Sequence, residues 1–531
     1  MKPSAPGFRA TVAAVGVVAL LGMAAPAAAS VPTATADEPE WASADDIGAY
    51  VAAQREAMRL PGLVVVVVAD GETLYEGAFG DTAPGGPPMT LDTPFALGST
   101  SKQFTGLVIQ QLVADGRLSL DDTVAELLPD LIPPDGSPYD DVTVEQLLSH
   151  RSGHSYPSGS RQWRLWLDDA SIQDHVRTTL REAPIAAPGE MFSYTNATYN
   201  VLGAIVEQVT GQPYPSALEE LVTEPLGLGS TTADLARAEE NGLAADHYPW
   251  YGFLTAVTPQ PHYAVSAPSA FVTSSGNDLR RLLEAHLGLI DTDMPESTLA
   301  EAREAIDAET EYADYASGWT IRPFWELRDL DEDWDDGTLP DLWEHSGATL
   351  RSFTYLAMEP ESGLGVVLLT NVSPGMDDAR SVRLFYGLMH AIAGTAPQPA
   401  QVNPLIAMAP ALTIGVPLLL VGAIVWLVLV VRRPPRSRVG RWAPVVVGSV
   451  VVIASLFLAV AVVPSQTGGP LLDTWWWAGV PDLAVSTALM LLLSAVVVGL
   501  IVAVIVRSSR HRSAGRADAG TSGTSRASAS V

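Results

Sequence analysis

Ser99 and Lys102 stand three positions apart in Leu97-Gly98-Ser99-Thr100-Ser101-Lys102-Gln103-Phe104, at what reads as the start of a helix. Residues three apart are neighbours on one helix face. A hydroxyl beside an amine is a minimal apparatus for nucleophilic catalysis, provided the amine gives up its proton. Lysine permits that, because an ammonium loses its proton when buried or set near another cation; a guanidinium stays charged. The only other lysine in the chain is Lys2, and every other fixed positive charge is arginine. Two plainer readings stand beside this one: Ser99 as a helix cap, and Ser101 as the nucleophile. Neither uses the i, i+3 pairing with Lys102.

Further chemistry-bearing groups follow in order. Tyr194-Thr195-Asn196 offers a phenol and an amide, and His345-Ser346-Gly347-Ala348 offers an imidazole beside a small-residue backbone. A phenol near Lys102 can share its proton and later activate a water, and Asn196 can orient a substrate carbonyl or side chain. His150 and His154 have an H-x-x-x-H spacing, but without the glutamate of a metal-binding H-E-x-x-H their expected roles are structural. No metal or organic cofactor is expected.

Ser99-Thr100-Ser101-Lys102 resembles the S-x-x-K motif of serine β-lactamases and penicillin-binding proteins. Tyr194-Thr195-Asn196 is similar to the Y-x-N motif of the class C branch, and His345-Ser346-Gly347 lies where the family has K-T-G or H-x-G. Leu147 to Gly153 resembles a further recurrent segment. The resemblance spans about residues 45 to 395. It implies catalysis by Ser99, Lys102 and Tyr194, with substrate contacts from Asn196, His345, Gly347 and Ala348. The backbone N–H groups of Ser99 and Ala348 would form the oxyanion hole. His345 would contact substrate across the cleft or shuttle a proton.

Three positions depart from the pattern. His345 replaces a lysine that helps hold the β-lactam carboxylate, which argues against efficient antibiotic hydrolysis. Arg351-Ser352 stands where a glycine-aromatic pair is frequent, and Arg351 is a candidate for the missing carboxylate contact. Pro268-Ser269-Ala270-Phe271 replaces a small Gly-Gly turn, so Phe271 is expected to narrow the cleft.

The elements that must position these groups are legible in outline. Trp41 to Leu60 reads as a helix, with Ile47, Val51 and Met58 on one face. Leu63 to Val68 is an unbroken apolar run suited to a strand buried on both sides, and Asp70-Gly71 turns it into Thr73 to Phe79. Phe104, Leu107, Val108 and Leu112 mark the buried stripe of the Ser99 helix, which Asp115-Gly116 ends. Residues 120 to 310 are mainly helical patterns. Leu350 to Met358 and Leu364 to Thr370 read as strands, and Asp377 to Ala393 as a closing helix. The expected fold class is therefore α+β: an antiparallel sheet against a helical region.

The remaining segments concern location. Lys2, Arg9, the apolar run Ala13 to Met23 and Ala27-Ala28-Ala29 read as a signal peptide over residues 1–29, with an uncleaved anchor helix as the alternative. Residues 30–44 and 396–404 read as linkers flanking the 45–395 domain. Three hydrophobic spans are expected within 405–506: Leu405–Val431, Ala443–Val463 and Leu483–Val506. From residue 401 onward the only acids are Asp473, Asp482 and Asp518, against ten arginines. Arg432, Arg433, Arg436, Arg438 and Arg441 lie between the first two spans, and Arg507, Arg510, Arg512 and Arg516 follow the third. By the positive-inside rule these segments are cytoplasmic and the first 400 residues are outside. Trp475-Trp476-Trp477 suits an interface, and 507–531 reads as a disordered cytoplasmic tail.

The chain has 60 acidic and 30 basic residues and no cysteine. Disulfides, thiolate catalysis and cysteine-ligated zinc are excluded, and the acidic ectodomain argues against nucleic-acid binding. The acids Asp329 to Asp336 read as a solvated loop. The sequence thus points to a membrane-anchored, extracytoplasmic serine hydrolase acting through an acyl-enzyme on esters or D-amino-acid peptides of the cell-wall type. A penicillin-recognising sensor with slow turnover and a catalytically dead binding domain are the alternatives. Oligomeric state and substrate are open at this level.

Overall fold

The computed structural model describes residues 41–155, 171–251, 254–258, 264–306, 314–323, 341–373, 378–394, 404–432, 437–458 and 481–522. The expected signal peptide, the 396–403 part of the second linker, the acidic loop at 329–336 and the Trp475–Trp477 segment lie outside these.

Eleven strands are described: β1 (Gly62–Ala69), β2 (Glu72–Gly80), β3 (Phe95–Ala96), β4 (His247–Trp250), β5 (Leu254–Val257), β6 (Thr273–Ser274), β7 (Asp314–Tyr315), β8 (Thr320–Pro323), β9 (Asp341–Ala348), β10 (Phe353–Glu359) and β11 (Leu364–Thr370). Seven form one antiparallel sheet in the order β2-β1-β11-β10-β9-β8-β7. The first and last strands of the domain sequence thus pair side by side within it: Val64 pairs with Leu369 and Val66 with Val367. Each of the eight residues of β1 is buried, as its unbroken apolar run requires. Asp70 and Gly71 take φ of 52° and 79° at the β1–β2 turn, the left-handed pair that a two-residue hairpin needs.

Helices α1 (Ala44–Met58) and α2 (Ser101–Ala114) flank the sheet on opposite sides. On the α1 face, Ile47 and Val51 pack with Val65, Val67 and Phe385. On the other, Val64 and Val66 pack with Phe104, Leu107 and Val108 of α2. Helix α2 is the interior helix of the helical region: it is buried along nearly its whole length, Lys102 included. Helix α3 (Asn196–Thr210) and the short α4 (Ala267–Ala270) pack against it, α5 (Gly276–His286) lies on β1 and β11, and α6 (Asp378–Ile392) closes the α1 face. This is the expected α+β arrangement.

The C-terminal region departs from expectation. Helices α7 (Pro404–Arg432), α8 (Arg438–Phe457) and α9 (Pro481–Ser522) pack together. Among the described residues two segments, Leu412–Arg432 and Pro481–Arg507, are long and apolar enough to cross a bilayer, while the apolar part of α8, Trp442–Phe457, is shorter. Two of the three expected spans thus have a candidate helix among the described residues, and the third, Ala443–Val463, runs beyond the described residues at 458. Helix α9 also continues past Val506 to Ser522, into the segment expected to be a disordered tail.

Candidate active site

The Ser99 turn sits against the end of β9 because two glycines let backbones touch. Gly98 has φ +60°, and a Cβ there would lie 2.4 Å from the nitrogen of Ala348; a Cβ on Gly347 would lie 1.9 Å from the carbonyl oxygen of Leu97. No side chain fits either gap. Thr100 and Thr354 fasten the same seam, both donating to Leu97 O, at 2.8 and 2.6 Å. The turn that carries Ser99 and the end of β9 that carries Ala348 are thereby brought together. Ser99 is the middle residue of a single 3₁₀ turn, Gly98–Thr100, that runs into α2, so its backbone N–H lies at the positive end of the helix dipole.

Lys102, one turn on, is fully buried. Its Nζ donates to Asn196 Oδ1 at 2.7 Å and to the carbonyl oxygen of Ser269 at 2.8 Å, and lies 3.2 Å from Ser99 Oγ. An amide oxygen and a carbonyl only accept. A neutral amine has two N–H groups and one lone pair, so these two acceptors use both N–H groups and leave the lone pair for the Ser99 hydroxyl. Burial holds Lys102 well below the ordinary lysine range, because an ammonium loses hydration there. Ser101 is excluded as the nucleophile. It is fully buried and its Oγ accepts from Val272 N at 3.0 Å.

Asn196, expected to orient substrate, holds Lys102 through its Oδ1. Tyr194 lies beside the amine through its ring, whose centre is 4.9 Å from Nζ, with the Tyr199 ring at 5.6 Å. Both rings displace water from Nζ. His150 supports this wall: its ring centre is 4.5 Å from that of Tyr194, and its Nδ1 lies 2.9 Å from Thr198 Oγ1 at the start of α3. His154 is stacked on Tyr139 at 3.7 Å with Nδ1 2.8 Å from Ser152 Oγ. Both histidines are structural, and no group of metal-ligating side chains occurs among the described residues.

His345 is buried on β9. Its Nδ1 lies 2.6 Å from the carbonyl oxygen of Ser346 and its Nε2 3.2 Å from Tyr315 Oη. The carbonyl cannot donate, so Nδ1 carries the hydrogen and Nε2 accepts from the Tyr315 hydroxyl. Burial pushes its pKa down to about 3. Both nitrogens of the neutral imidazole are thus engaged within the fold.

Arg351 is buried too. Its Nε donates to Thr258 O at 3.1 Å, its Nη1 to Leu350 O at 2.7 Å, and its guanidinium lies 4.6 Å from the centre of the Tyr248 ring. It is built into the turn after β9, contrary to the expectation of a carboxylate contact. Phe271 is 4 % exposed and is a core residue at the end of α4. Sequence reasoning missed Ser269, Tyr199 and Tyr315. The first acts through its backbone, and no spacing rule joins the other two to the motifs.

Residues 47–388 match the Beta-lactamase family. The chain belongs to that family. It is an enzyme of the same serine hydrolase group, and the α+β fold described above is the family's. It is 30% identical over 376 residues to Penicillin-binding protein 4 of Amycolatopsis lactamdurans, covering 66% of this chain and 94% of the relative. Esterase EstB of Burkholderia gladioli is 40% identical over 185 residues, covering 32% of this chain and 46% of the relative. Among solved structures, a class C beta lactamase from Rhodobacter sphaeroides superposes with TM-score 0.54 at 26% identity, covering 66% of this chain and 99% of that one. The octameric penicillin-binding protein homologue from Pyrococcus abyssi gives TM-score 0.57 at 23% identity, covering 68% and 80%.

Proposed function

We propose that this chain is a membrane-anchored serine hydrolase whose catalytic domain faces the extracytoplasmic side and cleaves esters or D-amino-acid peptides. The observation that carries this reading is the coordination of Lys102 Nζ by Asn196 and Ser269, which leaves its lone pair toward Ser99 Oγ at 3.2 Å. Lys102 takes the Ser99 proton as Oγ bonds to the acyl carbon. The N–H groups of Ser99 and Ala348 stabilise the oxyanion. The leaving alkoxide or amine departs with the proton, relayed through Tyr194. Water then adds to the acyl carbon with help from Tyr194, the acid leaves and Ser99 is restored.

Substrate class follows from what the cleft lacks in the expected places. His345 is uncharged and Arg351 is turned into the fold, so neither supplies a cation for a substrate carboxylate. Neutral acyl esters therefore suit the site best, with D-peptides next and β-lactams last. Anchoring is supported by the two long apolar helices and by the arginines that flank them.

The test is turnover by the full chain in detergent of a neutral nitrophenyl ester, a D-alanyl-D-alanine peptide and a chromogenic cephalosporin, with Ser99→Ala as control. The reading expects the ester or the D-peptide to turn over at least tenfold faster than the cephalosporin, and Ser99→Ala to be inert. A stable penicillin adduct with no turnover of any substrate would overturn it in favour of a sensor.

A further inference from the structure

Asp482 is the second residue of α9, at the end of a helix long and apolar enough to span a bilayer. A carboxylate in that position is costly unless its oxygens are satisfied. Here both oxygens are engaged by the catalytic domain. Oδ1 accepts from Tyr248 Oη and Oδ2 from the backbone N–H of Tyr251, each at 2.7 Å. Ser486, one turn on, donates to the Tyr251 hydroxyl at 3.4 Å. Tyr251 has φ 53°, a left-handed conformation that an aromatic residue rarely adopts without being held.

The other face of Tyr248 leads to the active site. Its ring lies under the Arg351 guanidinium, and Arg351 Nε also donates to Thr258 O beyond β5. Arg351 lies in the Thr349–Ser352 turn, closed by a 3.0 Å bond from Thr349 N to Ser352 O. Ser352 Oγ donates at 2.7 Å to Ala96 O, three residues before Ser99. Ala348, the expected oxyanion donor, immediately precedes this turn. A continuous run of contacts, part-buried at Asp482 and Tyr251 and buried at Ser352, thus joins the first turn of a membrane helix to both backbones that flank Ser99.

We infer that Asp482 is a positioning residue for the acylation step: by holding Tyr248 and Tyr251 it fixes the Arg351 turn and with it the Ala348 N–H. The membrane helix is then part of the catalytic apparatus as well as an anchor. This rests on the proposed role of Ser99 as nucleophile.

The experiment measures the second-order rate of fluorophosphonate labelling, its stoichiometry, and kcat and KM for a nitrophenyl ester, using the full chain in nanodiscs. Asp482→Ala is expected to slow labelling about tenfold at full final stoichiometry and to lower kcat with KM nearly unchanged. Asp482→Asn, which accepts from only one of the two donors, falls between Asp482→Ala and the parent. Tyr248→Phe keeps the ring under Arg351 and removes only the hydroxyl, so it reads the link if Asp482→Ala fails to fold. Rates within twofold of the parent for the folded variants would overturn the inference, as would a fall in stoichiometry alone for Tyr248→Phe. Undiminished labelling of Ser99→Ala would instead sink the functional reading beneath it.

Discussion

The carbonyl oxygen of Ser269 lies 2.8 Å from Lys102 Nζ, across 167 positions of sequence. Together with Asn196 Oδ1 at 2.7 Å it takes up the hydrogens of a neutral amine, and so defines where the lone pair points. The basicity of Lys102 is thus set by burial, and its direction by two acceptors.

Asn196 separates these two effects. Asn196→Ala removes one acceptor and is expected to lower the acylation rate roughly 10–100-fold, about 1.4–2.8 kcal/mol of barrier. Asn196→Asp keeps the shape but sets a carboxylate against Nζ, which favours the ammonium. Its rate at pH 7 should fall further than that of Asn196→Ala, and its acid limb should move to higher pH. A pH series of labelling rates on both variants checks this; an unmoved limb in Asn196→Asp would contradict it.

Gly347→Ala places a methyl group where Leu97 O already stands, 1.9 Å from the added carbon. The obstacle is backbone, so the strand must shift away from the Ser99 turn. The expected loss is about 1–3 kcal/mol of stability, with labelling reduced far more than melting temperature. Differential scanning fluorimetry beside labelling rates measures both.

With its pKa pushed down to about 3, His345 does not titrate near neutrality. The rate profile between pH 5.5 and 7.5 should keep its shape in His345→Asn, whatever its height. Tyr315→Phe leaves buried Nε2 without its donor and should cost about 1–3 kcal/mol in denaturant unfolding. An inflection near pH 6.5 that vanishes in His345→Asn would show that the imidazole does exchange protons in turnover.

On the other side of β9, Glu344 is buried, with Arg322 Nε 2.8 Å away. Desolvation outweighs the arginine and raises its pKa to about 7, against about 4.3 in an unfolded chain. The folded state therefore holds this proton more tightly. Glu344's contribution to stability is present below the unfolded value and is lost as pH rises towards about 7. Glu344→Gln should raise the melting temperature at pH 8 by roughly 2–4 °C more than at pH 4.5. Equal shifts at the two pH values would contradict the assignment.

Much of this was legible in the chain because it is local. The β1–β2 hairpin follows from an apolar run and Asp70-Gly71, and the Ser99–Lys102 pairing from one helical turn. What escaped was set by contacts distant in sequence. The Ser269 carbonyl carries no side-chain signal. Arg351 looked available because nothing near it in sequence announces Tyr248 or Thr258. His345 could be singled out from its motif, but its tautomer depends on Tyr315, 30 positions earlier. In the C-terminal region hydropathy located three apolar segments, and among the described residues two of them form helices long enough to span.

The most direct test of the central claim is the pH dependence of Ser99 acylation, measured as the second-order rate of fluorophosphonate labelling in the parent chain and in Lys102→Arg. Lys102 acts as a base only when neutral, so the rate should rise as pH passes its lowered pKa. It should reach a plateau well below the value of about 10.4 for free lysine. Lys102→Arg should be slower by about 10²–10⁴-fold and show no such limb. A parent rate still climbing through pH 10, or a Lys102→Arg rate within tenfold of the parent, would contradict the account.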